Sequence, residues 1–176
     1  MLHSTPPEHS NIIPVTHLVA PPTDPACLVC CTFSSIYLWT NGAWTLLAGS
    51  DFEVGFKDAT GPAARFESIH GCCFYRDSLI VAEELNHCIR AVSLATAAVT
   101  TFAGIPTEMG DNDGPKLQAR FHYPGSVVYH DGSLWVGEVC TGKIRNIADG
   151  RVTTYFSAHG SNIGITQFVI SPLVSS

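Results

Sequence analysis

The sequence has few charged side chains. Asp, Glu, Lys and Arg make up 14% of its 176 residues, against roughly a quarter in typical soluble domains. Nine of them are Lys or Arg and 15 are Asp or Glu, which gives a net charge of −6, and no segment clusters the basic residues. The chain therefore offers no positive field for a phosphate backbone, and we expect no nucleic-acid binding.

Long apolar segments and helical periodicity are also missing. No segment approaches the roughly 18 apolar residues of a membrane-spanning helix, and the start, MLHSTPPEHSNIIP, has neither the basic region nor the apolar stretch of a secretion signal. We therefore expect no membrane contact and an intracellular, cytoplasmic location. No segment of about 12 residues repeats apolar side chains at helical spacing, so we expect no long helix.

What the chain does contain favours a folded, turn-rich β protein. Hydrophobic residues make up 45% of the sequence, enough for a core, and 15 Gly and 11 Pro are scattered along it. Seven cysteines are an odd number, and two adjacent pairs, Cys30-Cys31 and Cys72-Cys73, lie in apolar runs. We interpret them as reduced thiols packed in the core.

A repeat organises the sequence. GFKDATGPAARFESIHG, from Gly55, matches GDNDGPKLQARFHYPGS, from Gly110, when Ala64 is placed over Ala119. SLIVAEELNHCIRAV, from Ser78, lies over SLWVGEVCTGKIRNI, from Ser133, in the same alignment, and CLVCCTFSSIYLWTNGAWTLLAGS, from Cys27, keeps the hydrophobic rhythm. A period of this length predicts a radial or stacked array of repeated units.

Each unit reads as four short strands. In the middle unit the β-favouring runs are Cys72 to Tyr75, Leu79 to Ala82, Ile89 to Leu94 and Val99 to Phe102. In the third they are Val127 to Tyr129, Leu134 to Gly137, Ile144 to Ile147 and Val152 to Phe156, with HDGS and ADGR as hairpin signals. Four-stranded units in series predict an all-β fold, a partial, open β-propeller of about three four-stranded blades.

The predicted boundaries divide the chain into five parts. They are an N-terminal tail at 1–11, a degenerate first blade at 12–50, a second blade at 51–104, a third blade at 105–157 and a C-terminal tail at 158–176. The tail contains one more β-like run, Ile165 to Ile170, which would start a further blade. A closed ring generally needs four to eight blades. We therefore expect either a segment of a larger propeller or self-association, for instance of two copies into a six-bladed ring.

The repeated residues resemble the NHL repeat. The resemblance rests on VAEELNHCIRAV, at Val81 to Val92, on the following VTTFAG, and on the linking pattern D-G-x-x-x-x-A-R-F-x-x-P-x-G. The matching motif residues are Glu83, Asn86, His87, Ile89 and Arg90 in the second unit and Glu138, Ile144 and Arg145 in the third, preceded by Arg65, Phe66, Arg120 and Phe121 in the linking segments. Thr141 and Gly142 replace Asn and His, and the first unit has Cys31, Ser34, Ser35, Tyr37 and Leu38 at the five places.

The resemblance implies a propeller of five or six blades that presents a surface to protein partners, and in some members to RNA. We therefore expect a non-catalytic scaffold or protein-protein interaction module without a cofactor. Its partner would be another protein or a second copy. The alternative is a fragment of a propeller enzyme, similar to lyases, lactonases or strictosidine synthase, with a metal in the central channel.

The motif residues have structural interpretations. Phe66 and Phe121 are apolar anchors suited to wedging between neighbouring blades, and the Arg before each is expected to pair with a loop carboxylate. Glu83 and Arg90 lie on consecutive strands, close enough for a charge-assisted pair. Asn86 is expected to bond to the backbone of its own turn.

Other candidate sites have weaker support. Asp111 and Asp113, and in the earlier copy Asp51, Glu53 and Asp58, are too few for a calcium loop and predict a solvated connector. His70 stands alone without a ligand spacing, so we interpret it as a surface or channel histidine rather than a metal ligand. No G-x-S-x-G elbow predicts a nucleophile. Four aromatic residues are candidate anchors for a partner at the rim of a propeller face, namely Trp39, Trp44, Tyr123 and Trp135.

Overall fold

Three antiparallel sheets follow one another along the chain. The computed structural model describes residues 15–22, 24 and 26–157, and in these ranges every regular element except one 3-10 turn, Gly61–Ala63, is a β-strand. Each sheet is a meander whose long strands follow in sequence order. The all-β architecture predicted from the repeat is thus confirmed.

The sheets are called blades 1, 2 and 3. Blade 1 contains β1 (His17–Val19), β2 (Leu28–Cys31), β3 (Ser35–Thr40) and β4 (Ala43–Gly49). Blade 2 contains β5 (Ala59–Thr60), β6 (Ile69–Tyr75), β7 (Ser78–Glu83), β8 (Cys88–Ser93) and β9 (Ala98–Ala103). Blade 3 contains β10 (Gly114–Pro115), β11 (Pro124–His130), β12 (Ser133–Glu138), β13 (Lys143–Ala148) and β14 (Arg151–Ser157).

Tight turns join the long strands. Asp131-Gly132 links β11 to β12, and Asp149-Gly150 links β13 to β14. All four of these residues have φ between 46° and 79°, as a type I′ hairpin requires at both central positions. The two hairpins predicted from HDGS and ADGR are therefore present.

Long connectors, residues 50–68 and 104–123, run from the last strand of one blade to the first long strand of the next. Each also adds a two-residue strand to the blade that it enters, because β5 pairs with β9 and β10 pairs with β14. The outer strands of blades 2 and 3 are thereby covered along part of their edges.

The blades pack face to face in two apolar cores. The first joins blade 1 to blade 2 and includes Val29, Ile36, Phe66, Leu79 and Val81. The second joins blade 2 to blade 3 and includes Ile80, Ala82, Ile89, Phe121 and Val136. The inner strands β6 and β11 are so close that a Cβ on Gly71 would lie 2.7 Å from the carbonyl oxygen of Gly125.

The alignment of the first unit needs a correction of one residue. A bulge falls at the same place in every blade, where Ile36, Ile89 and Ile144 pair with Ala48, Ala103 and Phe156. Ile36, and not Tyr37, is therefore equivalent to Ile89, and Tyr37, and not Leu38, is equivalent to Arg90. The shift arises because the β2–β3 turn is shorter than the β7–β8 turn. The run Ile165 to Ile170 and the predicted tails at 1–11 and 158–176 lie outside the described residues.

Candidate functional site

The most extensive polar cluster of the described residues surrounds Arg90. Its guanidinium is fully buried and donates to Glu83 Oε2 at 2.8 Å and to Asp58 Oδ1 at 2.6 Å. It also donates to the carbonyl oxygens of Lys57 and Arg65, at 3.0 and 3.3 Å. One side chain thus ties two strands of blade 2 to the connector that enters it.

The strand register brings these groups together. Arg90 pairs with Val81, and Glu83 ends the neighbouring strand β7, so both side chains reach the same end of the sheet. The guanidinium lies 4.5 Å from the ring centroid of Phe56 and 5.2 Å from that of Phe66, which adds cation-π attraction in a desolvated place. The pair of Glu83 and Arg90 expected from their positions on consecutive strands is therefore present.

The carboxylate of Glu83 is also held by amides. The backbone N–H of Glu67 and the side-chain amide of Asn86 donate to Oε1, at 3.2 and 3.3 Å. Asn86 donates in addition to the carbonyl oxygen of Gly55 at 3.0 Å. The expectation that Asn86 bonds to its own turn is therefore wrong, because its amide reaches the connector and Glu83 instead.

Blade 3 repeats this arrangement at the equivalent positions of the repeat. Arg145 donates to Glu138 at 2.6 Å, to Asp113 at 2.8 Å and to the carbonyl oxygens of Arg120 and Asn112 at 3.0 and 3.2 Å. We call each set, Glu83-Arg90-Asp58 and Glu138-Arg145-Asp113, an ion triad. Thr141, which replaces Asn in the motif, takes over part of the role of Asn86 by donating to Glu138 Oε2 at 2.6 Å.

In blade 1 a neutral side chain links the third strand to a connector. Tyr37, at the position of Arg90, donates its hydroxyl to Asp51 of the connector that leaves the blade. Burial and this bond to Asp51 raise the pKa of Tyr37, so it stays a neutral donor at physiological pH. The first unit thus keeps one feature of the motif that its sequence does not show, because Tyr37 links the third strand to Asp51 of a connector.

Burial shifts the titration of the triad carboxyls. It raises the pKa of Glu83, and the opposing effects of Arg90, Asn86 and the Glu67 amide do not cancel this. At Asp113 burial alone would also raise the pKa. There, however, the amide and hydroxyl of Thr154 and the guanidinium of Arg145 bring the pKa below its ordinary value of 3.8. The two kinds of triad carboxyl therefore respond differently to acid.

Replacing Asp113 with asparagine is expected to weaken the acid sensitivity of the fold. A carboxyl with a depressed folded-state pKa stabilises the fold above its unfolded-state pKa, and the contribution is lost as the pH falls through the folded-state value. We expect Asp113→Asn to cost about 1 kcal/mol near neutral pH, and the difference from wild type to shrink below about pH 4. Urea unfolding across this pH range measures it.

Asp131→Asn is the matched control, because it removes the same charge from an exposed hairpin turn whose left-handed backbone asparagine tolerates. It should change the free energy of unfolding by less than about 0.5 kcal/mol. A constant difference between Asp113→Asn and wild type from neutral to acid pH would contradict the assignment.

The two connector phenylalanines are fully buried between blades, as the wedge interpretation predicted. Phe66 packs on Gly49 and Phe121 on Gly104, the left-handed glycines that end or follow β4 and β9. A Cβ on Gly104 would lie 3.1 Å from the ring of Phe121, and one on Gly49 would lie 2.2 Å from the carbonyl oxygen of Ser34. We call the Ala-Gly pairs Ala48-Gly49 and Ala103-Gly104 the wedge seats.

The arginines before these phenylalanines pair as expected. Arg65 pairs with Glu53, and Arg120 with Glu108. Both pairs are partly exposed, so each adds less than about 1 kcal/mol.

The acidic connectors are more than solvated loops, which corrects the expectation for them. Asp58 and Asp113 each accept from the third strand, through Arg90 or Arg145, and from the last long strand, through Thr101 or Thr154. Asp111 pairs with Lys143. Within the described ranges, no group of three or more His, Cys, Asp or Glu is placed to hold a metal ion.

The two histidines singled out from the sequence lie in different surroundings. His70 is the bulged residue of β6, is 42% exposed, and has its Nε2 3.9 Å from a carboxylate oxygen of Glu84. His87 is buried in the β7–β8 turn, where its Nδ1 accepts the backbone N–H of Tyr123 at 3.4 Å and its ring packs edge-on against that tyrosine. His87 therefore joins blade 2 to the connector that enters blade 3.

All seven cysteines are free thiols. Six are buried or partly buried, and Cys140, in the β12–β13 turn, is exposed. Burial raises the pKa of Cys73 to about 12 and also raises that of Cys30. Both adjacent pairs therefore contain a thiol with little thiolate character, which agrees with packed rather than reactive cysteines.

The candidate aromatic anchors lie in three different places. Trp39, Trp44 and Trp135 stand on the sheet surfaces of the two terminal blades, where Trp39 and Trp44 pair across β3 and β4. Tyr123 lies against His87. Their role as anchors for a partner therefore stays a prediction.

Sequence reasoning missed the apolar side chains at one end of the blades. The β2–β3, β7–β8 and β12–β13 turns lie at this end beside the connector residues Gly55 and Thr107, which both bond to Asn86, and we call it the connector end. Five apolar side chains of these turns and the neighbouring connector residues are exposed, namely Phe52 at 83%, and Phe33, Val54, Leu85 and Met109 at 39 to 54%. Val54 and Met109 occupy equivalent places in the repeat, each directly after the Glu that pairs with a connector arginine.

Comparison with known proteins supports the architecture. A structural-genomics protein of unknown function from Bacteroides thetaiotaomicron VPI-5482 superposes with a TM-score of 0.63 and 24% identity over 72% of this chain and 32% of its own. An auxiliary nutrient binding protein from the same organism gives 0.60 and 22% over 69% and 34%. Another, from Bacteroides ovatus ATCC 8483, gives 0.62 and 19% over 80% and 37%.

The chain has a partial propeller-like fold. It spans about a third of the length of these solved structures. No protein-family model matches the sequence, and no curated protein matches it significantly. Among the described residues, no helix has the length and apolar character needed to cross a lipid bilayer.

Proposed function

We propose that the chain is an NHL-type β-propeller segment that acts as a non-catalytic scaffold and binds another protein. The observation that carries the proposal is the row of exposed apolar side chains at the connector end, Phe33, Phe52, Val54, Leu85 and Met109. They come from successive blades and connectors, so a partner lying across this end would contact more than one repeat.

The motif residues themselves support a scaffold role. The charged groups of both ion triads are spent on one another and on backbone carbonyls between strands and connectors. Such groups hold each connector to the strands of its blade and leave the exposed turns to make contacts. The shared fold with two nutrient-binding proteins is compatible with a binding role, since one fold serves many functions through its loops.

The test compares two sets of charge substitutions on the protein carrying an affinity tag. Val54→Glu, Leu85→Glu and Met109→Glu are combined in one variant. Leu117→Glu is the control, because this 55% exposed side chain follows β10, which pairs with the start of β14 at the other end of blade 3. Proteins captured from an extract of the source cells after brief chemical cross-linking are quantified for each. We expect the triple variant to capture about tenfold less of the specific partner than wild type, and the control to capture as much as wild type.

Equal capture by the triple variant and by wild type would show that the partner lies elsewhere. No specific capture by the wild-type protein, together with turnover of an ester or lactone substrate, would contradict the scaffold proposal itself. Circular dichroism of both variants checks that the fold is retained.

A further inference from the structure

Blades 1 and 3 each have one sheet face that no described residue of another blade covers. The packing of blade 2 shows that such a face packs against the face of a neighbouring blade. The forward face of a blade points toward the next blade, and the backward face toward the preceding one. Blade 2 packs its backward face, with Leu79 and Val81, against blade 1, and its forward face, with Ile80 and Ile89, against blade 3. The shared strand register transfers these definitions to the other two blades.

The backward face of blade 1 is apolar and aromatic. The register places five large apolar side chains on it, namely Leu18, Leu28, Trp39, Trp44 and Leu46, together with Tyr37. Leu18 is 58% exposed, and the rings of the two tryptophans lie 5.3 Å apart.

The forward face of blade 3 is also rich in aromatic residues, and it carries the polar pair Asn146 and Thr153 beside Trp135. It carries Trp135, Ile144, Tyr155 and Phe156, at the positions of Ile80, Ile89, Phe102 and Ala103 in blade 2. Tyr155 is 72% exposed and Phe156 is 50% exposed. The two faces together hold all three tryptophans of the sequence, a concentration typical of protein interfaces.

The wedge seat of blade 3 differs from the other two. Where blades 1 and 2 have Ala48-Gly49 and Ala103-Gly104, blade 3 has Phe156-Ser157. A phenylalanine thus stands where the earlier blades keep small residues to receive the wedge of the following connector. The forward face of blade 3 therefore suits a blade that arrives without an aromatic wedge.

Blade 1 is such a blade. No Phe, Tyr or Trp precedes Phe33 in the printed sequence, so no aromatic residue stands in its first unit at the sequence position of Phe66 or Phe121. A forward face packs against a backward face at both contacts within the chain, and the forward face of blade 3 and the backward face of blade 1 could pack in the same order. In that contact Phe156 of blade 3 would supply the aromatic ring that the connector supplies elsewhere. Blade 2, packed on both of its faces, separates these two faces within one chain.

We propose that two copies of this chain associate, with blade 3 of each copy against blade 1 of the other, and so close a six-bladed ring. A twofold axis creates both contacts at once, so the association closes instead of growing into a filament. Each contact repeats the face-to-face packing seen twice within the chain. The faces involved are distinct from the connector end, so a failure of this proposal leaves the proposed function standing.

Analytical ultracentrifugation of the full chain tests the ring. We expect one species of about twice the 18.9 kDa chain mass. Phe156→Glu and Trp44→Glu, one on each face, should each weaken the dimer on the order of 100-fold, because every contact of a homodimer then carries a buried charge. Leu117→Glu, at a side chain 55% exposed outside both faces, should remain dimeric.

Mixing the two variants provides a second, independent readout. A dimer with one Phe156→Glu copy and one Trp44→Glu copy has both changes in one contact and none in the other. We expect the mixture to form dimers that neither variant forms alone, which also shows that both variants are folded. A wild-type monomer at all concentrations, a ladder of larger species, or a dimer indifferent to both substitutions would overturn the proposal.

Discussion

Arg90→Met is expected to lower the free energy of unfolding by about 3 to 5 kcal/mol. Arg90 is fully buried, and its loss leaves Glu83 buried without a counter-charge while two backbone carbonyls lose their donor. Methionine replaces much of the volume, so the loss reports the charge and the hydrogen bonds rather than a cavity. Urea unfolding at neutral pH measures it.

The dependence of this loss on pH separates charge from packing. Burial raises the pKa of Glu83 and Arg90 lowers it. Without Arg90, the pKa of Glu83 therefore rises further. A buried carboxyl with a raised pKa costs stability as the pH rises through its folded-state value, so the cost is relieved in acid. We therefore expect the difference between Arg90→Met and wild type to be smaller near pH 4 than near pH 7.

Two further variants complete the experiment. Arg151→Met removes the same type of side chain from an exposed place at the start of β14 and should change stability by less than about 0.5 kcal/mol. The double variant Glu83→Gln with Arg90→Met should recover part of the loss, since an uncharged amide costs less to bury than a carboxylate. A loss below about 1 kcal/mol in the single variant would contradict a structural role for the triad.

Phe121→Ala is expected to cost about 3 to 5 kcal/mol. The ring is fully buried in the core between blades 2 and 3, rests on the wedge seat of Ala103-Gly104, and lies 5.3 Å from the Arg145 guanidinium. Its removal opens a cavity between two sheets that their own strands hold in place, so collapse to fill it is restricted.

Leu117→Ala is the control, because this side chain is 55% exposed, and it should cost less than about 0.5 kcal/mol. Guanidinium unfolding monitored by circular dichroism compares the two. A loss below about 1 kcal/mol for Phe121→Ala would show that the phenylalanine does not lock the blades together.

The repeat made most of the architecture predictable. Two well-kept copies, aligned through Ala64 and Ala119, located the long strands of blades 2 and 3 to within a few residues at each end. Hairpin signals such as Asp131-Gly132 have a local cause, the left-handed backbone, and were therefore readable. The pair of Glu83 and Arg90 was predictable for the same reason, since only one turn separates their strands.

Contacts between distant segments were not readable from the sequence. Asp58 accepts from Arg90, which lies 32 residues away in the sequence. The sequence of the acidic loop does not show whether Asp58 bonds to an arginine or to solvent. The part played by Tyr37 was hidden because a shortened turn shifted the alignment by one residue. The sequence offers the tryptophans only as candidate anchors, and it does not show which face of each strand the neighbouring blade covers.

The pairing of each connector with the far side of its own blade also sets the order in which the chain can fold. The connector of blade 2 contributes β5 and Asp58, whose partners lie in β9, and 43 residues of sequence separate Asp58 from Thr101. During synthesis on a ribosome, β5 can therefore pair only after β9 has emerged. We therefore expect each connector and its sheet to form one cooperative folding unit, completed only when its last strand is made.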